Sequence, residues 1–243
     1  MKLLFSSIVG SRLYGFSTPE SDTDYKGFAL PEIDELLGLK NWEQNLFKDT
    51  EKKEEGTIFA LKKFVNLSLH GNPTILEVNF TGTEFTRETT ELGELIRMFL
   101  RKEALTKQAY FAYKAYFYSQ VRKLERPERE GKRQLLIDEY GYDVKFASHA
   151  WRLARQCKEI LTTGTFNPTM RGDDLEFCKE IRAGKPKLDS LLSTLKHEGE
   201  ELENYFNWSD LPDKPDFNKC NNWLTQIQLK YVRGEYENGA YGN

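Results

Sequence analysis

Much is missing from this chain, and each absence narrows what it can be. No apolar run approaches the roughly 20 residues of a membrane span, which argues against a helical membrane protein. There are only three cysteines, Cys157, Cys178 and Cys220, far apart and without CxxC spacing. That pattern supports neither a disulfide framework nor a zinc ribbon, and reduced thiols in a cytoplasmic protein are the expectation. The opening Met1-Lys2-Leu3-Leu4-Phe5 is too soon interrupted by serines to read as a secretory leader. There is no internal repeat. Neither charge dominates: Lys and Arg number 35 against 38 Asp and Glu, a net charge of −3. A protein that coats long nucleic acid is usually basic overall, so any such contact here has to come from a local patch. What remains is 243 residues with ample apolar and aromatic content, enough to bury a sizeable core.

The pattern divides the chain into a small α/β unit, 1–87, and a helical unit, 88–243. Residues 3–9 read as a buried strand, followed by a turn at Gly10 and one helical turn through Tyr14. Thr18-Pro19-Glu20-Ser21 is turn chemistry, and Asp24–Leu30 reads as a second strand. Residues 31–56 are polar, with Asp49–Glu55 as a solvated charged tip. Thr57 reads as the cap of a helix running to His70, closed by Gly71. Asn72-Pro73 resets the chain, and Thr74–Phe80 reads as a third strand. Helices are expected over Glu91–Arg101, Leu105–Leu124, Tyr142–Leu161, Asp173–Ile181, Leu188–Phe206 and Asn221–Val232. Arg126–Lys132 reads as a charged linker, 209–218 as a loop, and the tail from Gly234 as frayed. The fold class is α+β: a small mixed-sheet core followed by an all-helical part.

The chemistry concentrates near the start. Gly10-Ser11 at a strand-to-helix turn offers backbone amides to an anion, with Arg12 and Tyr14 beside it. Asp22 and Asp24, two apart at the mouth of a strand, project to one face and repel each other unless a cation lies between them. Glu77, alone in an apolar segment whose Leu76, Val78 and Phe80 lie on the opposite face, needs a partner to be buried. A magnesium site shared by Asp22, Asp24 and Glu77 answers both needs, because magnesium takes oxygen ligands and keeps substrate phosphates in its shell. An EF-hand starting at Asp22 fails, since Lys26 falls at its third side-chain ligand and Ile33 at its closing glutamate. A phosphatase nucleophile is disfavoured by the turn residues before Asp22. A DxD glycosyltransferase stays open, but it does not account for the glycine–serine turn.

Gly10-Ser11, a short spacer, Asp22-Thr23-Asp24 and a later carboxylate together resemble the nucleotidyltransferase signature of the DNA polymerase β superfamily. More narrowly, Gly10–Gly15, Thr18–Gly27 and His70–Glu77 resemble the nucleotidyltransferases named for RNA repair pathways in bacteria and phages. So do Tyr113–Lys123, with Ser119-Gln120, and Gly141–Lys145 through His149 and Arg152. The resemblance covers about residues 1–185, and Thr23 stands where many members have an apolar residue. It implies transfer of a nucleoside monophosphate from a nucleoside triphosphate such as ATP to an acceptor hydroxyl, with pyrophosphate released. Asp22 and Asp24 would hold Mg2+ (or Mn2+), Glu77 would complete the second metal site and help activate the acceptor hydroxyl, and Gly10 and Ser11 would hold the triphosphate.

In the helical unit, Lys145, His149 and Arg152 share one helix face at i, i+4 and i+7. That face is either a solvated stripe or a phosphate reader. From Arg97 to Arg133 cations outnumber anions and interleave with aromatics, a composition that suits RNA phosphates and unstacked bases, although most of the rings read as core. Lys107, Lys114 and Lys123 are the candidates there for triphosphate or acceptor contact. An RNA end is the favoured acceptor. Transfer to a protein or a small molecule, and a catalytically silent nucleotide-binding module, remain alternatives.

Overall fold

The computed structural model describes residues 1–125 and 131–235, with the side chain of Lys132 left aside. Most of the expected linker, Arg126–Glu130, and the end of the tail lie outside the described residues.

Five strands form one mixed sheet: β1 (Lys2–Val9), β2 (Thr23–Leu30), β3 (Gln44–Asp49), β4 (Glu54–Ala60) and β5 (Thr86–Thr89), in the order β3-β4-β2-β1-β5. β1 pairs antiparallel with both β2 and β5, and β3 antiparallel with β4, whereas β2 and β4 run parallel. The short helix α1 (Gly10–Tyr14) follows β1 at once, and α2 (Ile33–Leu37) begins the crossover from β2.

Two expectations fail here, each for a local reason. The polar stretch 31–56 is not one loop. β3 is an edge strand exposed along most of its length, so its polarity is that of a solvated edge. β4 then runs through Thr57 to Ala60, so the helix α3 starts later than expected, at Leu61, and ends at Leu69. The second correction is Thr74–Phe80, which is helical: α4 spans Pro73–Phe80. The Asn72 side chain accepts from the Ile75 amide, and Pro73 occupies the first turn, where a missing N–H costs nothing. Nearly every side of α4 is buried, so the segment shows no helical alternation.

The remaining helices are α5 (Glu91–Glu103), α6 (Gln108–Leu124), α7 (Lys132–Tyr140), α8 (Val144–Thr163), α9 (Gly172–Arg182), α10 (Leu188–Trp208) and α11 (Phe217–Val232). α7 begins within what reads in sequence as linker. β5 straddles the expected unit boundary at residue 87, and α5 packs against β1, α3 and α4. One continuous core runs from Leu4 and Phe28 on the sheet to Ile160 and Leu195 in the helical part. Among the described residues no helix is long and apolar enough to cross a membrane.

α5 sits close to β1 at Gly93, where an added Cβ would lie 2.1 Å from the carbonyl oxygen of Leu4. Propensity alone would favour Gly93→Ala by about 1 kcal/mol. Overpacking against the strand backbone should reverse the sign, with a net loss of about 1–3 kcal/mol in denaturant unfolding; a stabilised variant would contradict this packing.

Candidate active site

A cavity of about 880 Å³, within the ~300–1,000 Å³ usual for small-molecule sites, opens between the strand ends and the helical part. Gly10, Ser11 and Tyr14 of α1 line it, as do Asp24 and Lys26 of β2 and Glu55 and Thr57 of β4. Tyr116, Gln120 and Lys123 of α6 face it, together with Arg133 of α7, Lys145, Ser148, His149 and Arg152 of α8, and Arg182 of α9.

The glycine turn and the acidic strand meet directly. Gly10 has φ +70°, and a Cβ on it would lie 2.2 Å from Oδ2 of Asp24. The Asp24 carboxylate therefore rests where any other residue would place a side chain, which makes Gly10 necessary on two counts. Burial raises the pKa of Asp24, Glu55 and Asp22 raise it further, and Lys26 and Arg12 oppose them. Asp22 is exposed, one residue before β2, and near enough to Lys145 of α8 to favour that lysine's charged form. Arg12 donates to the Ser21 carbonyl at 2.8 Å and so ties down the turn before the acid pair.

Glu77 lies elsewhere. It is 1% exposed on α4, and it does not line the cavity. Its Oε1 accepts from Nη1 of Arg152, and its Oε2 accepts from the Tyr14 hydroxyl at 2.8 Å. The Arg152 guanidinium also donates to Gln156 at 2.8 Å and lies 4.0 Å above the Tyr14 ring. The burial cost that pointed to a metal partner for Glu77 is met instead by an arginine from α8.

A different carboxylate, Glu55, lines the cavity with Asp24. In the parallel β2–β4 ladder Asp24 sits opposite Glu55 and Lys26 opposite Thr57, so both carboxylates face the cavity. Glu55 is half exposed and paired with Lys48 at 3.1 Å. In sequence it belongs to a charged tip, and only the strand pairing, not its composition, reveals it. Among the described residues no group of three or more His, Cys, Asp or Glu is gathered into a ready metal site. The donor set nonetheless fits a hard divalent cation: all oxygens, clustered like charges, and one carboxylate seated against bare backbone.

The opposite wall is basic. Asp143 caps α8 by accepting from the amides of Lys145 and Phe146, and receives both 2.9 Å bonds of Arg133. This fixes the helix start, so Lys145, His149 and Arg152 all turn to the cavity, as their spacing implies. Burial lowers the pKa of Lys26, Lys145 and Arg182, and for Lys145 the nearby Arg182 and Arg133 add to the effect. His149 is pushed down to about 2, mainly by burial and then by Arg152 and Lys123, so its ring is neutral at pH 7.

The basic segment from Arg97 to Arg133 is not a continuous surface. Arg97 is buried and donates to the carbonyls of Val78 and Thr81; Arg101 donates to that of Asn79. Lys107 pairs with Asp213, and Lys114 with Tyr110 and Glu203, away from the cavity. Only Lys123 and Arg133 of this segment line the cavity among the described residues; Arg126 and Arg129 lie outside them. Of the rings, Tyr110, Tyr113 and Phe117 are core.

A mixed sheet carries a glycine–serine turn against a strand-end carboxylate, with a helical wall opposite, and the chain falls in the DNA polymerase β class that its family match names. The sequence pattern of the RNA repair pathway DNA polymerase beta family matches residues 1–213, and the chain belongs to that family. It is 37% identical over 91 residues to a phage protein, described as an uncharacterized 38.9 kDa protein in the nrdC-mobD intergenic region of Enterobacteria phage T4. That match takes in 35% of this chain and spans 27% of the phage protein. A solved nucleotidyltransferase-like protein from Exiguobacterium sibiricum 255-15 aligns over 85% of this chain and 69% of its own, at 12% identity and a TM-score of 0.31.

Removing one partner of the Glu77–Arg152 pair should cost about 3–5 kcal/mol in denaturant unfolding. Glu77→Leu combined with Arg152→Met should cost clearly less than the sum of the single changes, because no charge is left buried alone. Simple additivity in that cycle would rule the pair out as the junction.

Proposed function

We propose that the chain transfers a nucleoside monophosphate from a nucleoside triphosphate to an acceptor hydroxyl, with Asp22, Asp24 and Glu55 as the acidic set. The observation that carries this reading is the Asp24 carboxylate seated on Gly10 and aligned across the ladder with Glu55, inside a cavity whose far wall is cationic. In the transfer the acceptor oxygen bonds to the α-phosphorus. The bond from that phosphorus to the α,β-bridging oxygen breaks, and pyrophosphate departs. The hydroxyl proton passes to Glu55, the carboxylate that acts most strongly on Asp24. A divalent cation such as Mg2+, held by Asp22, Asp24 and Glu55, would polarise the phosphate and neutralise the leaving charge.

The residues of the chain divide the remaining work. Gly10 and Ser11 present first-turn amides and a hydroxyl to phosphate oxygens. Lys26, Lys145 and Arg182 line the cavity without a carboxylate within salt-bridge distance among the described residues, and they stabilise the triphosphate and the pyrophosphate that leaves. Arg152 and Tyr14 are bound to Glu77 and act mainly by holding α8 against the catalytic turn. An RNA end remains the proposed acceptor, supported now by the family's name rather than by the dispersed basic segment.

Asp24→Asn should abolish pyrophosphate release from every NTP. Because the folded state raises the Asp24 pKa, its ionised form works against folding above the unfolded value near 3.8. The amide should therefore leave stability at pH 7 unchanged or higher; normal turnover would remove Asp24 from the site. Glu55→Gln should lower turnover by at least about 100-fold, within the usual range for a lost acid–base group, without moving the unfolding midpoint. At Mg2+ concentrations well below saturation, transfer should also fall on acidification at a pH above that expected for an ordinary aspartate, since protons and the cation compete for Asp24.

A further inference from the structure

Two residues that line the cavity, Gln120 and His149, each carry a buried Nε2 that has no hydrogen-bond partner among the described residues. Gln120 is 1% exposed, and among the described residues nothing accepts from that nitrogen. An unmet amide donor at this depth is costly, and native structures retain such groups where something else satisfies them. The two residues come from different helices, α6 and α8, and line one cavity. Each lies one turn from a cation on its own helix, Lys123 beyond Gln120 and Lys145 and Arg152 flanking His149.

We propose that Gln120 and His149 form a neutral recognition pair for the nucleobase of the bound nucleotide; this rests on the nucleotide reading above. The pair carries no charge. Burial and the surrounding Arg152, Lys123, Lys26 and Arg133 hold the imidazole neutral, and an amide is neutral at any pH. Phosphate has several cations to meet in the same cavity, so an uncharged donor and an uncharged imidazole suit the uncharged part of the ligand. Every nucleobase edge offers an acceptor to the Gln120 amide. The His149 nitrogen donates or accepts according to its tautomer, and so distinguishes one edge from another. Apolar ring surface adjoins the pair: Tyr116 meets the His149 ring edge-on at 4.8 Å, and Phe146 lines the same wall.

Calorimetric titration of the full chain in Mg2+ with ATP, GTP, CTP, UTP and inorganic tripolyphosphate tests this. The wild type should favour one nucleotide by roughly tenfold or more, as sites that hydrogen-bond a substrate group do. Gln120→Leu and His149→Phe should each weaken that nucleotide by roughly tenfold while shifting tripolyphosphate by no more than about twofold. Replacing an unmet donor by leucine should not lower the melting temperature, and the variants sit on separate helices, so one readout survives if the other variant fails to fold. Equal losses for nucleotide and tripolyphosphate would make these residues phosphate contacts and overturn the inference while leaving the nucleotide reading intact. Unchanged nucleotide affinity in both variants would also overturn it. Wild-type protein that binds neither probe would remove the nucleotide reading, and the inference with it.

Discussion

The structure turns on one buried ion pair. Glu77 comes from α4, under the sheet, and Arg152 from the middle of α8; both are almost completely withdrawn from solvent. Two charges at that depth are tolerable only together and fully hydrogen-bonded. Tyr14 and Gln156 supply the remaining bonds, and Tyr14 belongs to the helix that begins at Gly10. The Gly10 turn, α4 and the long helix α8 of the opposite wall are thus joined at a point. Against well-packed apolar side chains such a pair adds little stability, but it leaves few ways to dock the helical part.

The cavity divides by charge. Carboxylates occupy the ends of β2 and β4, placed there by parallel pairing, and cations occupy the helical wall, placed there by the Asp143 cap. Asp24 is held at a raised pKa against Gly10, an arrangement that favours a ligand bringing positive charge to the carboxylates. Lys26 beside them, and Lys145 and Arg182 on the helical wall, have lowered pKa values, an arrangement that favours a ligand bringing negative charge. The metal-bound triphosphate proposed above would bring both, one to each side.

What could be read in the sequence followed from local rules. β1, the turn at Gly10, β2 and most of the long helices announce themselves by periodicity, caps and glycine, and the Asp22–Asp24 spacing places both acids at a strand mouth. The face formed by Lys145, His149 and Arg152 follows from helical spacing alone. What could not be read depended on tertiary context. α4 is covered on nearly all sides and so loses the alternation that separates helix from strand. Glu77 rightly demands a partner, but sequence cannot show that the partner is an arginine from α8, 75 positions away in the chain. Glu55 lies in a run of charges, and only its register against Asp24 sets it apart from its neighbours. The basic stretch after Arg97 looked continuous because pairing with backbone carbonyls and distant carboxylates is invisible in composition.

In the proposed site the strand-end carboxylates and the helical cations share one metal–nucleotide ligand, and Glu77 takes no part in it. A crystal structure with Mg2+ and a non-hydrolysable nucleoside triphosphate reads this out directly. Metal density should be bounded by Asp22, Asp24 and Glu55, with phosphates on the Gly10–Ser11 turn and Glu77 still bound to Arg152. Metal coordinated by Glu77, or nucleotide lodged outside this cavity, would contradict it.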